Sequence, residues 1–279
     1  MRRDYYAGRV AVISGAASGI GRALAVSLSS RGAQLVLWDR DIEGLSVTAK
    51  TCKQAGAQVR TDVIDVTDRT SLVDAAARAH AELGRIDVVL CMAGVIHTGD
   101  VLVSDPVDLE HVIHVNVCGT VNTVAALLRY VVKSDAGHIL TTSSGFGLMA
   151  APRYSAYSAS KFAIRGFTSA LRQELTLNGH SVRATCVVPG GVRTPIIRNG
   201  RFADGVDRES VIAGFDTRVA RISPQRAAEV ILRELPRGRA QIMIGADARL
   251  LDAVARVGGG GYQSLVPWLL RRRGLAKSQ

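Results

Sequence analysis

The chain has 279 residues, 47% hydrophobic and 21% charged, which suits a single globular α/β domain and excludes a disordered or fibrous chain. Its formal net charge is +11, with Arg2 and Arg3 opening the chain and Arg271, Arg272, Arg273 and Lys277 closing it. No helix-turn-helix, zinc-finger or RNA-stacking signature accompanies that charge, so a solvated basic surface is expected and a nucleic-acid partner is not.

Short apolar, β-branched runs alternate with amphipathic ones along the chain. Strands are predicted over 10–14, 34–39, 59–64, 86–92, 138–142, 182–188 and 240–244. Between them the periodicity predicts helices over 19–31, 42–55, 71–83, 106–130, 155–177 and 224–235. Continuous apolar strands are buried on both faces, as in parallel sheets, and strand-helix alternation implies βαβ crossovers. The expected fold is therefore a single Rossmann-like, doubly wound α/β domain of about seven parallel strands with helices on both faces, spanning 1–245. The weakly periodic segment 190–223 reads as a substrate lid. Residues 246–279 read as an apolar and basic extension, with a flexible glycine run at 258–261 and Trp268 beyond it.

Cys52, Cys91, Cys118 and Cys186 form no C-x-x-C pair, and Cys91 and Cys186 fall in apolar runs that mark them as core thiols. The six histidines show no metal spacing, and His111 with His114 reads as a helix face, so no metal is expected. The first apolar run, 10–14, is too short for a signal peptide, and no stretch reads as the roughly 20 apolar residues a spanning helix needs. A reduced, cytoplasmic protein is expected.

The first strand leads into Ser14-Gly-Ala-Ala-Ser-Gly-Ile-Gly21 and then a helix. Gly15 permits a tight turn, Gly19 lets the backbone approach a pyrophosphate, and Gly21 lets helix and strand pack closely. A helix N-terminus there offers N–H groups and a positive dipole end to phosphates, with Ser14 and Ser18 adding hydroxyls. Asp39 ends the second strand, 18 residues after Gly21. A carboxylate there accepts from both ribose hydroxyls and repels a 2′-phosphate, favouring NAD, while the neighbouring Arg40 is the feature that accommodates NADP. Asp65 and Val66 are candidates to flank the adenine; the alternative is a helix-initiating loop with Thr67 or Asp68 as N-cap.

Tyr157-Ser-Ala-Ser-Lys161 opens the second long helix and puts Tyr157 and Lys161 on one face. A nearby ammonium, together with a positive nicotinamide, favours the phenolate of a tyrosine that would otherwise be a poor base. Ser144, 13 residues earlier, is placed to orient a substrate oxygen. Asn116 lies in an apolar helical run, where its amide either holds a water that links Lys161 to solvent or is a core amide bound by backbone carbonyls.

With those residues in order the chain resembles a short-chain dehydrogenase/reductase of the common, roughly 250-residue type, over about 7–245. The resemblance rests on 14–21, Asp65-Val66, Asn116, Ser144, Tyr157-x-x-x-Lys161 and Pro189-Gly-Gly-Val-Arg-Thr194. It implies a catalytic tetrad of Asn116, Ser144, Tyr157 and Lys161. It also implies cofactor contacts from Gly15, Ser18, Gly19, Ile20, Gly21, Asp39, Arg40, Asp65, Val66, Ala93, Gly94, Tyr157, Lys161, Pro189, Gly190, Val192 and Thr194. Cys91-Met-Ala-Gly94 departs from the family's usual Asn-Asn-Ala-Gly, and Ser14 stands where Thr is usual.

The implied reaction moves a hydride between nicotinamide and a secondary alcohol or ketone, with Tyr157 as acid/base and NAD favoured over NADP. A nucleotide-sensing binding protein without turnover is the alternative. Val95, Phe146, Met149 and Pro189 are apolar pocket candidates and point to a lipophilic, steroid-like substrate. An acidic substrate held by Arg193, Arg198, Arg201 or Arg208 is the rival. The resemblance implies a homodimer or homotetramer. For the tail, packing on a partner subunit or over the pocket is favoured over peripheral membrane contact through 262–273.

Overall fold

The computed structural model describes residues 4–272, so the expected charges at Arg2, Arg3, Arg273 and Lys277 lie outside the described residues. Seven strands form one parallel sheet: β1 (Val10–Ser14), β2 (Gln34–Asp39), β3 (Val59–Val63), β4 (Val88–Cys91), β6 (His138–Thr142), β7 (Arg183–Pro189) and β9 (Gln241–Ile244). Their spatial order is β3-β2-β1-β4-β6-β7-β9. The chain runs outward from β1 to β3, then crosses back to the other side of β1 at β4. Between β1 and β4 lies the point where winding reverses, and ligands of such sheets bind at the carboxyl ends there. Ser14, the last residue of β1, pairs in register with Trp38 on one side and Cys91 on the other.

The inner strands are apolar on both faces, and a separate core lies on each. On one face α1 (Gly19–Ser29), α2 (Ile42–Gln54) and α8 (Pro224–Glu234) bury Leu24, Leu28, Leu45 and Ile231 against Ile13 and Leu37. On the other face α3 (Arg69–Leu83), α5 (Gly119–Val131) and α6 (Ser155–Leu177) bury Leu72, Leu127, Leu171 and Leu175 against Val12, Val36 and Ile139. Helix starts follow side-chain capping: Asp41 accepts from the Gly44 N–H, Asp68 from Ser71, and Ser223, ahead of Pro224, from Arg226.

Three features depart from the sequence pattern. The helix expected over 106–130 is α4 (Pro106–Ile113), a π-helical turn at His114–Cys118, and α5. The widened turn falls at Asn116, whose side chain is drawn to a loop backbone instead of packing along the helix. The whole run Pro106–Val131 is long and apolar enough to span a bilayer by length and composition, contrary to the sequence expectation, but half of its most apolar stretch is buried within the protein. Second, β5 (His97–Thr98) and β8 (Arg201–Phe202) form a two-stranded parallel sheet that ties 190–223 to the segment after β4. Residues 190–223 also hold α7 (Arg208–Gly214) and a π-helical turn at Phe215–Val219. Third, the described chain beyond β9 is helical: α9 (Ala246–Gly258), a turn through Gly259–Gly261, then α10 (Tyr262–Arg272). The glycines expected to be a flexible run therefore end one helix and turn into the next.

Candidate active site

The glycine turn sits at the reversal point. Gly15 has φ +72°, and a Cβ on it would stand 2.5 Å from the Ala93 nitrogen, so the turn lies directly on the backbone after β4. A Cβ on Gly21 would overlap the Gly15 carbonyl oxygen, so this glycine is what allows α1 to start so close to β1. Gly19, at φ +54°, faces Thr194 across the crevice, where a Cβ would meet its Cγ2 at 3.2 Å. Ser18 takes the N-cap position of α1 without its hydroxyl capping the helix, and no acidic residue occupies the first turn. The positive helix end is thus left for an anion. Arg22 braces the turn from behind, donating to the Ala17 and Gly44 carbonyls and, at 3.0 Å, to the Thr48 hydroxyl.

Asp39 accepts from the Ala17 N–H at 2.8 Å through Oδ2 and from the Asp41 N–H at 3.0 Å through Oδ1. Its carboxylate is thereby fixed beside the glycine turn, with Arg40 exposed next to it. Asp65 is exposed and its Oδ1 accepts from the Thr67 N–H and hydroxyl. Partial burial pushes its pKa up, but the Thr67 hydrogen bonds and the charges of Arg40 and His111 outweigh this and hold it below the usual carboxylate range. Val66 is buried against Gly119. Asp68, just beyond, is the N-cap of α3.

Tyr157, Lys161, Ser144 and Asn116 come together beyond the crevice. Tyr157 and Lys161 are buried on α6, with the ammonium 5.3 Å from the ring centre. Lys161 Nζ donates to the Thr142 carbonyl at 3.1 Å, and Ser143 Oγ donates to the Lys161 carbonyl at 2.8 Å, so both ends of the lysine are held by the exit of β6. Burial is the largest influence on both groups and drives each toward its neutral form. It pushes Tyr157 up to about 12, against a hydrogen bond from Ser144 that lowers it, and pushes Lys161 down to about 8.

The Asn116 side chain is held by protein groups on both sides. Its Oδ1 accepts from the Val95 N–H at 2.8 Å, and its Nδ2 donates to the Val95 carbonyl at 3.0 Å and to Ser160 Oγ at 2.9 Å. Both amide protons are used within the protein. Ser160 Oγ in turn donates to the Tyr157 carbonyl at 2.7 Å. Asn116 thus clamps the loop after β4 to the turn of helix that carries Tyr157. Gly94 fits between: a Cβ on it would lie 3.1 Å from Asn116 Oδ1 and 3.4 Å from Lys161 Nζ.

The Tyr157 ring belongs to an apolar cluster with Ile96, Val112 and Ile197, flanked by Val95, Phe146, Tyr154 and Phe215. Met149 and Pro189, also expected at the pocket, lie outside this cluster. The arginines of 190–223 are engaged structurally: Arg198 pairs with Asp216, Arg201 with Asp108 at 2.6 Å, and Arg208 donates to the Arg198 carbonyl at 2.7 Å. Arg193 donates to the Ala220 carbonyl at 3.5 Å.

The segment after β7 is anchored by a residue the sequence reading missed. Asp247, in the first turn of α9, accepts from the Gly191 N–H at 2.7 Å and packs on Gly190. Val192 is buried and bridges in parallel to Ile222, holding Pro189–Thr194 across the crevice from the glycine turn. Ser160 was likewise missed. The signal for both was slight: an Asp two residues after Gly245, and a serine beside the lysine of an already crowded motif.

Residues 9–203 match the family described as short chain dehydrogenase. The chain is 44% identical over 261 residues to the "Putative oxidoreductase SadH" of Mycobacterium tuberculosis, covering 94% of this chain and 95% of that protein. It is 33% identical over 256 residues to the human estradiol 17-beta-dehydrogenase 11, covering 84% and 85%. Among solved structures it is similar to a short chain dehydrogenase/reductase from Burkholderia phymatum in complex with NAD. There the TM-score is 0.83 at 26% identity, covering 92% of this chain and 95% of that one.

Proposed function

This chain belongs to the short-chain dehydrogenase family of nicotinamide-dependent oxidoreductases, and on that premise we propose that it interconverts a lipophilic secondary alcohol and its ketone with NAD, using Tyr157 as acid/base. The observation that carries this reading is the Tyr157 phenol in its apolar cluster, with Ser144 beside it and Lys161 behind.

The glycine turn fits a dinucleotide: a cradle that side chains would fill, at the amino end of a helix with no acid in its first turn. Gly15, Ser18, Gly19, Ile20 and Gly21 would hold the pyrophosphate, and Asp39 the adenosine ribose. Ala93, Gly94 and the Pro189–Thr194 segment would line the rest of the crevice. The cofactor supplies the hydride donor or acceptor and, when oxidised, a positive ring. In the direction of oxidation Tyr157 Oη takes the hydroxyl proton; in reduction it gives that proton to the carbonyl oxygen. Ser144 orients the same oxygen. Lys161, tethered at Thr142, lowers the proton affinity of the phenol whenever it carries its charge. Asn116 and Ser160 keep the tyrosine's helical turn in place.

The apolar surround favours a lipophilic substrate, as does the resemblance to a protein named for estradiol, whereas the lid arginines are engaged with partners that an acidic substrate would have to displace. Asp39, held beside the cradle, favours NAD over NADP. Residues 1–245 carry the chemistry, 190–223 act as the lid, and 246–279 form an extension. Exposed Phe162 and Leu177 on α6 support a homo-oligomer, and four free thiols suit a cytoplasmic setting. The test is turnover of NAD with hydroxysteroids and simple secondary alcohols, measured for the parent and for Ser144→Ala. A Ser144→Ala variant with undiminished kcat removes that residue from the mechanism, and a preference for acidic alcohols overturns the lipophilic assignment.

A further inference from the structure

Helix α10 has two apolar faces. Tyr262 and Val266 face the loop that precedes α6, where with Pro152 and Phe162 they line a groove of about 460 Å³, and the Ala150 N–H donates to Tyr262 Oη at 3.3 Å. From the sequence, packing on a partner subunit or over the pocket was favoured; this contact with the loop and α6 accounts for one face only. The other carries Leu265, Trp268 and Leu269 at i, i+3 and i+4, with Trp268 48% exposed. The Arg272 guanidinium lies 4.2 Å from the Trp268 ring centre.

A second apolar projection adjoins the same loop. Residues Val101–Val103 form a short turn whose Leu102 is 95% exposed. The loop reaches it through Arg153, whose carbonyl accepts from the Gly99 N–H at 2.9 Å and whose side chain pairs with Asp100 at 3.8 Å. Arg153 holds a positive φ of 69° to do so. Large apolar side chains thus stand in water on two elements that both touch the loop immediately before Tyr157.

We propose that the outer face of α10 docks on an anionic phospholipid bilayer. Charge selects this occupant. The described sequence of α10 contains no acidic residue and ends in Arg271 and Arg272, and the chain as a whole carries +11. A second copy seated on the stripe would bring like charges together, whereas an anionic leaflet accepts the arginines at its headgroups while tryptophan and leucine enter beneath them. The docking surface does not depend on what the site turns over.

The test uses the full chain with vesicles of phosphatidylcholine alone and of an equal mixture of phosphatidylcholine and phosphatidylglycerol. Trp38, the other tryptophan, is fully buried in β2, so a change in emission on docking reports on Trp268. Flotation with the anionic vesicles only, with a blue shift, is expected. Leu265→Ser/Leu269→Ser should weaken partitioning by at least about tenfold, and so should Arg271→Glu/Arg272→Glu, which changes only exposed side chains and guards against a folding defect in the first pair. Three results overturn the proposal. One is no flotation with anionic vesicles. Another is flotation without a blue shift that the leucine variant leaves unchanged. The third is a leucine variant whose particle mass falls by half in light scattering, which would place a second copy on the stripe.

Discussion

Replacing Asn116 by alanine tests the clamp between the loop after β4 and the turn that carries Tyr157. The substitution removes three hydrogen bonds, two to the Val95 peptide and one to Ser160 Oγ. Each polar group left buried without its partner costs about 1–3 kcal/mol. Val95 is only half-buried and water can relieve part of the loss, so the lower end applies to its two groups. The serine keeps its bond to the Tyr157 carbonyl and adds little. A loss of about 2–4 kcal/mol is expected, which for a protein of this size lowers Tm by roughly 8 °C. Ser160→Ala should cost about 1 kcal/mol, and the double variant should cost less than the two singles together, because they share one bond. Thermal and guanidinium unfolding of the three variants measures this. Asn116→Ala with parental stability, or strict additivity with Ser160→Ala, would refute the clamp.

Gly21→Ala should weaken dinucleotide binding by at least about tenfold, because its Cβ would overlap the Gly15 carbonyl; titration calorimetry with parental affinity would contradict the packed turn. Asp39→Asn retains an acceptor for the Ala17 N–H and removes the charge, so the ratio of kcat/KM for NADP to that for NAD should rise about tenfold or more, and an unchanged ratio would remove Asp39 from cofactor choice. His138, nearly fully buried at the start of β6, is held down to about 4 by burial and by the charge of Arg183. Above pH 6.5 the ring is neutral folded or unfolded; as pH falls from 6.5 toward 4 the unfolded chain binds the proton first, and stability drops by as much as about 3 kcal/mol. His138→Asn should flatten that acid limb in denaturation curves, and an unaltered limb would assign it to other groups.

The inner parallel strands were legible because a buried parallel strand is apolar on both faces, and α6 was legible to the residue because its amphipathic period runs unbroken over Ser155–Leu177. The glycine turn was legible because its geometry excludes side chains. What stayed hidden depends on partners distant in sequence. The π-helical turn at His114–Cys118 follows from Asn116 reaching Val95, 21 residues away. The β5–β8 pairing spans two residues a strand, too short to leave an alternation. The anchoring of Gly191 by Asp247 joins residues 56 apart. A sequence shows that Tyr157 and Lys161 share a helix face but not that both are buried, and burial raises the pKa of the phenol and lowers that of the amine.

Turnover by Tyr157→Phe tests the central claim most directly. Phenylalanine keeps the ring in its apolar cluster and removes only the hydroxyl, so NAD binding should persist, while reduction of NAD by a panel of secondary alcohols, steroid alcohols among them, should fall by at least about a hundredfold from the parental rate. A variant that binds NAD and turns over at the parental rate would contradict the account.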